Sequence, residues 1–232
     1  MESKTAKHLK RLTREQYDQA LECLHRVVKY DPQGSGNGSI SLVKQEDWVA
    51  VPIAIDGGFF PKTRSGFVKA ASSYNRSEVI ATWIEPIDLD TKEFPVPAAL
   101  EGANVVPVEP GLIVGFSVPA TVEGVEEFNL GRDLLLMTCA VFAGSPDWVY
   151  IWFIDDLDII YATEQITRHF TDQSVDEAFA AFRTWLDESP GGRSTQAYFQ
   201  HLGTENPLER VYYDLKEFNK ATPGTEVIID WF

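Results

Sequence analysis

Cysteine is scarce in this chain: two residues in 232, Cys23 and Cys139, each among apolar neighbours. No C-x-x-C pair exists, so neither a zinc ribbon nor a dithiol redox centre is suggested, and two buried free thiols in a reducing compartment are expected. Long apolar runs are also missing. Leu134 to Ala143 is the most apolar run and is interrupted by Thr138; a membrane-spanning helix needs about 20 residues. The opening MESKTAKHLKR lacks the apolar segment of a secretory signal, so a cytoplasmic protein with no membrane association is expected. Basic residues are outnumbered, 20 Lys and Arg against 35 Asp and Glu, for a formal net charge of −15. Phosphate attraction needs a basic face, which makes nucleic acid an unfavourable partner. A basic protein or a bound cation suits this balance better. Also missing are H-E-x-x-H, G-x-S-x-G and Walker patterns, internal repeats and low-complexity tracts.

What is present reads as α+β. TREQYDQALECLHRVVKY predicts a helix: Thr13 caps it, Gln16 stands three positions on, and Tyr17, Ala20, Leu21, Leu24, Val27 and Val28 form one face. Asp31-Pro32 ends it. The glycine run GSGNGS at 34–39 sits between a helix and a strand, the reverse of a phosphate-binding loop, and reads as a connector. From Ile40 to Pro119 the texture is β: SISLV, DWVAVPIAI, GFVKAAS, SEVIATWIEPI and LIVGFSV are short runs divided by turn residues. DLLLMTCAVFA and WVYIWFI are separated by Gly-Ser-Pro-Asp and predict an antiparallel hairpin, 134–143 with 148–154. Neither face of its second strand is polar, so that strand belongs at the centre of a sheet.

The last third turns helical. Ser174 and Glu177 form a capping box, and Val175, Ala178, Phe179, Phe182 and Leu186 make one apolar stripe. SPGG is expected to stop this helix, STQAYFQHL to form a short one, and NPLERVYYDLKEFN a longer one with Pro207 in its first turn. TEVIIDWF predicts a final strand. The fold expected is a single α+β domain over 1–232. Its sheet is predominantly antiparallel, with an N-terminal helix and helices clustered in the C-terminal third. A mobile basic tail at 1–12, a flexible connector at 31–39 and a Pro-rich irregular segment at 94–111 interrupt it.

Three groups of residues offer chemistry. Asp155, Asp156 and Asp158 follow the apolar strand within four positions, and clustered carboxylates of this kind hold Mg²⁺. Asp156 and Asp158 share a face of a continuing strand; Asp155 and Asp158 share one of a helix. His169 follows shortly after and is a candidate ligand or general base. Asp at a strand exit also commonly just faces water. The second group, Lys62, Arg64, Lys69 and Arg76, lies in a stretch without acidic residues, interleaved with Phe59, Phe60, Phe67 and Tyr74, as in sites for phosphorylated ligands or single strands. An internal match between a basic hairpin and an acidic neighbour is the favoured explanation of this group. Third, Trp231 and Phe232 suit a partner-binding anchor.

The function expected is a soluble acidic protein-interaction module of inhibitor, immunity or assembly type, with no cofactor. It binds a protein partner, basic or a second copy of itself. The alternative is a metal-dependent hydrolase or phosphotransferase using Asp155, Asp156 and Asp158 with Mg²⁺.

Overall fold

The computed structural model describes residues 9–31, 39–54, 61–84, 115–131, 138–152 and 157–230. Two antiparallel sheets and a set of helices make an α+β architecture. Strands β1 (Lys10–Arg11), β4 (Trp48–Ala54), β5 (Glu78–Trp83), β6 (Gly115–Pro119), β7 (Cys139–Ala143), β8 (Trp148–Trp152) and β9 (Leu157–Thr163) form a seven-stranded sheet of order β1-β6-β5-β7-β8-β9-β4. Strands β2 (Val28–Asp31), β3 (Ser39–Val43) and β10 (Glu226–Asp230) form a second sheet, with β3 between the other two. The helices are α1 (Arg14–Leu24), α2 (Pro61–Ser73), α3 (Val122–Gly131), α4 (Glu164–Thr171), α5 (Val175–Glu188), α6 (Pro190–Leu202) and α7 (Pro207–Lys220). None is long and apolar enough to cross a membrane.

Local chemistry explains several of these elements. Both reciprocal bonds of a capping box start α1 at Thr13 and Gln16, and both start α5 at Ser174 and Glu177. The expected hairpin is present as β7 and β8, paired from Cys139↔Trp152 to Ala143↔Trp148. All five residues of β8 are buried between β7 and β9, because apolar side chains on both faces require cover on both sides. The Asp147 carboxylate of its turn is gripped by Arg76 through Nε at 2.7 Å and a second guanidinium nitrogen at 3.3 Å.

Four sequence expectations are corrected. The first helix stops at Leu24, and β-branched Val28 starts a strand against Leu42 of β3 instead of extending the helical face. GFVKAAS belongs to helix α2, not to a strand. Thr63, Gly66, Phe67, Ala70 and Ala71 are buried at helical spacing, a stripe that a polar and a glycyl position hide from a hydrophobicity count. Gly66 lets α2 lie close to α4: a Cβ there would meet the Phe170 ring at 2.6 Å. SPGG begins a helix as well as ending one. Ser189 closes α5 and caps α6, accepting from the Gly192 amide at 2.8 Å, and a Cβ on Gly192 would stand 2.4 Å from the Trp185 carbonyl. Finally, of the segment expected as a tail, Lys10 and Arg11 pair with Ser117 and Phe116.

One face of the large sheet is covered by α2 and α4, where Phe67 and Phe170 pack on Trp148 and Tyr150 with ring centroids 5.0–5.8 Å apart. On the other face Tyr161 ties the two sheets together: its hydroxyl donates to the Val43 carbonyl at 2.6 Å and accepts from the Gln45 amide at 2.9 Å. Burial pushes that phenol well above its ordinary pKa. Strand β4 is an edge, consistent with Pro52 in its middle. Asn219 of α7 completes that edge as a strand would, accepting from the Ala50 amide at 2.8 Å and donating to its carbonyl at 2.9 Å. Asn219→Ala strips both bonds from a half-buried backbone unit. It is expected to lower unfolding free energy in urea by about 1.5 kcal/mol, with hydrogen exchange at Ala50 rising most. An unchanged urea midpoint would show that the amide does not support this edge.

Candidate functional site

Asp158 of the acidic motif lies on β9. Strands β8 and β9 run antiparallel, with Trp152 opposite Asp158 and Tyr150 opposite Ile160. Asp158 is therefore a strand residue inside the sheet, flanked on its other side by Ile53 of β4. It is 0% exposed and accepts a hydrogen bond from the Tyr150 hydroxyl. The expectation of an aspartate facing water at a strand exit is wrong for Asp158. Taking a carboxylate into a sheet core is costly unless it is hydrogen-bonded, and the phenol supplies that bond. Asp155 and Asp156 lie outside the described residues, as do Trp231 and Phe232. Among the described residues no group of three or more His, Cys, Asp or Glu could hold a metal ion.

His169 sits on α4 and faces α2, where its Nε2 is 3.1 Å from the Ser73 hydroxyl. The same hydroxyl lies 3.0 Å from the Lys69 carbonyl, to which it can also donate. Burial, and then the Lys69 charge, hold the imidazole below its ordinary pKa.

The basic residues do not converge. Lys62 is in the first turn of α2, Arg64 pairs with Glu126 of α3 at 3.2 Å, and Arg76 is held by Asp147. Lys69 is exposed near His169. For Arg64 and Arg76 the internal match to acidic neighbours is present, though α2 replaces the expected hairpin and Glu126 and Asp147 are the partners.

A concave surface lies elsewhere, where α5, α6 and α7 meet. Helix α6 ends at Gly203, and Asn206 caps α7 by accepting from the Leu208 amide at 3.0 Å. The short link between them leaves two adjoining hollows. The first, about 380 Å³, is polar and is lined by Arg183, Asp187, Gln200, Glu205, Asn206 and Glu209 among others. Arg183 is fully engaged there. It contacts Asp187 at 2.9 and 3.0 Å and Glu209 at 2.7 Å, and these carboxylates raise its pKa further. The second, about 360 Å³, is lined mainly by Tyr198, Phe199, Leu202, Pro207 and Arg210, and shares Phe199, Thr204 and Glu205 with the first. Tyr198 is 58% exposed and Leu202 51%, one helical turn apart on α6. Asn206 is only 8% exposed, and its Nδ2 makes no hydrogen bond among the described residues. A buried donor left without an acceptor costs about 1–3 kcal/mol.

Nothing in the motifs singled out from sequence pointed to this groove. The available signal was Tyr198-x-x-x-Leu202, an apolar pair at i, i+4 in a helix with few other buried positions. No protein-family model matches this chain, no curated protein matches it, and no solved structure matches its fold.

Proposed function

We propose that this chain is an acidic protein-interaction module that binds a basic protein partner through the cleft between α6 and α7. The observation that carries this reading is the exposure of Tyr198 and Leu202 side by side on the wall of a concave surface. Large apolar side chains exposed as a pair in a cleft are the common signature of a docking site, and tyrosine is enriched among residues that dominate binding energy. The formal charge of −15 favours a basic partner and a fast, salt-sensitive association. Asp158 is buried and bonded to Tyr150, which does not support the metal-site reading.

The test is selection of a random peptide-display library on the immobilised full chain. Affinities of the recovered peptides are then measured by fluorescence anisotropy. Peptides are expected to be enriched, to bind more weakly as salt rises, and to bind the Tyr198→Ala, Leu202→Ala double variant about tenfold less tightly, roughly 1.4 kcal/mol. Absence of enrichment, or equal binding to the double variant, would overturn the reading. Sedimentation velocity over a wide concentration range adds a second arm. A dimer abolished by the double variant would identify a second copy as the occupant and displace the basic partner.

A further inference from the structure

The polar hollow beside the apolar cleft has chemistry of its own. Three carboxylates line it, Asp187, Glu205 and Glu209, against one guanidinium, Arg183. That guanidinium is taken up by Asp187 and Glu209, so it has little to offer an anionic ligand. Glu205 forms no ion pair among the described residues, is exposed, and lines both hollows. Its chain neighbour Asn206 uses Oδ1 to cap α7, which fixes the amide so that Nδ2 is the atom left over. Glu205 therefore presents a negative charge between an apolar wall and an acidic hollow, while the Asn206 Nδ2 is enclosed beneath the surface.

We infer that Glu205 reads a lysine or arginine in an extended segment of the bound partner. The cationic head is received by Glu205, and an adjacent apolar side chain lies against Tyr198 and Leu202. The inference rests on the proposed interaction role and names the chemistry that the site selects. An acidic segment is disfavoured by the three carboxylates, because like charges brought together in a concave site repel, against the single further cation Arg210 of the apolar hollow. A purely apolar segment fills the cleft but leaves Glu205 partly desolvated.

The experiment uses the full chain and peptides from the selection above, each paired with a copy in which its Lys or Arg is replaced by Met. Recovered sequences are expected to carry a basic residue within a position or two of an apolar one. Loss of that basic group is expected to weaken wild-type binding about tenfold. In Glu205→Gln, which keeps shape and removes charge, the same peptide change is expected to cost little, because the interaction is already gone. Peptides recovered without basic residues, or a Lys-to-Met cost equal in wild type and Glu205→Gln, would overturn the inference. Binding that needs Tyr198 and Leu202 but ignores Glu205 would remove only the inference. Peptide binding indifferent to Tyr198 and Leu202 would remove the interaction site itself.

Discussion

Phe67→Ala is expected to lower the free energy of unfolding by about 3–5 kcal/mol. Phe67 is almost fully buried on α2 and touches three rings at once, Tyr150 at 5.0 Å, Phe170 at 5.3 Å and Trp148 at 5.8 Å between centroids. Truncation removes its transfer free energy and leaves a hollow that the stiff rings of two β8 residues cannot refill. For a chain of this size each kcal/mol corresponds to about 2–4 °C in thermal midpoint. The expected shift is therefore about 10 °C, read by circular dichroism. Lys69→Ala, two residues along on the exposed side of α2, is the matched control and is expected to move the midpoint little. A shift in Phe67→Ala no larger than that of the control would mean that α2 is not a structural part of the sheet's cover.

Tyr150→Phe is expected to cost about 3 kcal/mol, far more than the loss of one oxygen atom suggests. The phenol donates to the Asp158 carboxylate in a fully buried part of the sheet. Removing it leaves a buried charge-bearing group with one support fewer, and the penalty is the desolvation of that group. The cycle is completed with Asp158→Leu. Tyr150→Phe in that background is expected to cost well under 1 kcal/mol, because no carboxylate remains to be satisfied. Urea denaturation of all four proteins measures the coupling. Equal costs of Tyr150→Phe in both backgrounds would show that the hydroxyl does not serve Asp158.

The same pair shows what a linear reading could and could not reach. In DWVYIWFIDDLDIIY the apolar half announces a central strand, and β8 is one. The third aspartate looks like the strand's exit to water, yet it is buried in the next strand. Asp158 reaches the core because β9 folds back on β8 and pairs it with Trp152, and a pairing register is a relation between two segments that neither encodes alone. Helix α2 was hidden for another reason. Its buried stripe includes Thr63 and Gly66, and Gly66 lies against Phe170 of α4, more than a hundred positions away. Gly191-Gly192 looked like a stop because glycine disfavours helices; here contact with Trp185 and Leu186 selects it and tertiary packing overrides propensity.

By itself the sequence determined the α+β class, the capped starts of α1 and α5, the β7–β8 hairpin and the acidic charge. These depend on side chains within one or two turns of each other, or on composition, and so can be read along the chain. Only the tertiary structure decided which polar residues are spent on the fold and which remain available. Arg76 closes a turn, Asn219 finishes a sheet edge and Tyr150 supports Asp158. Glu205 is left over beside exposed Tyr198 and Leu202. The physical reason is that hydrogen bonds and ion pairs are satisfied in space, by partners whose separation along the chain carries no information about their distance.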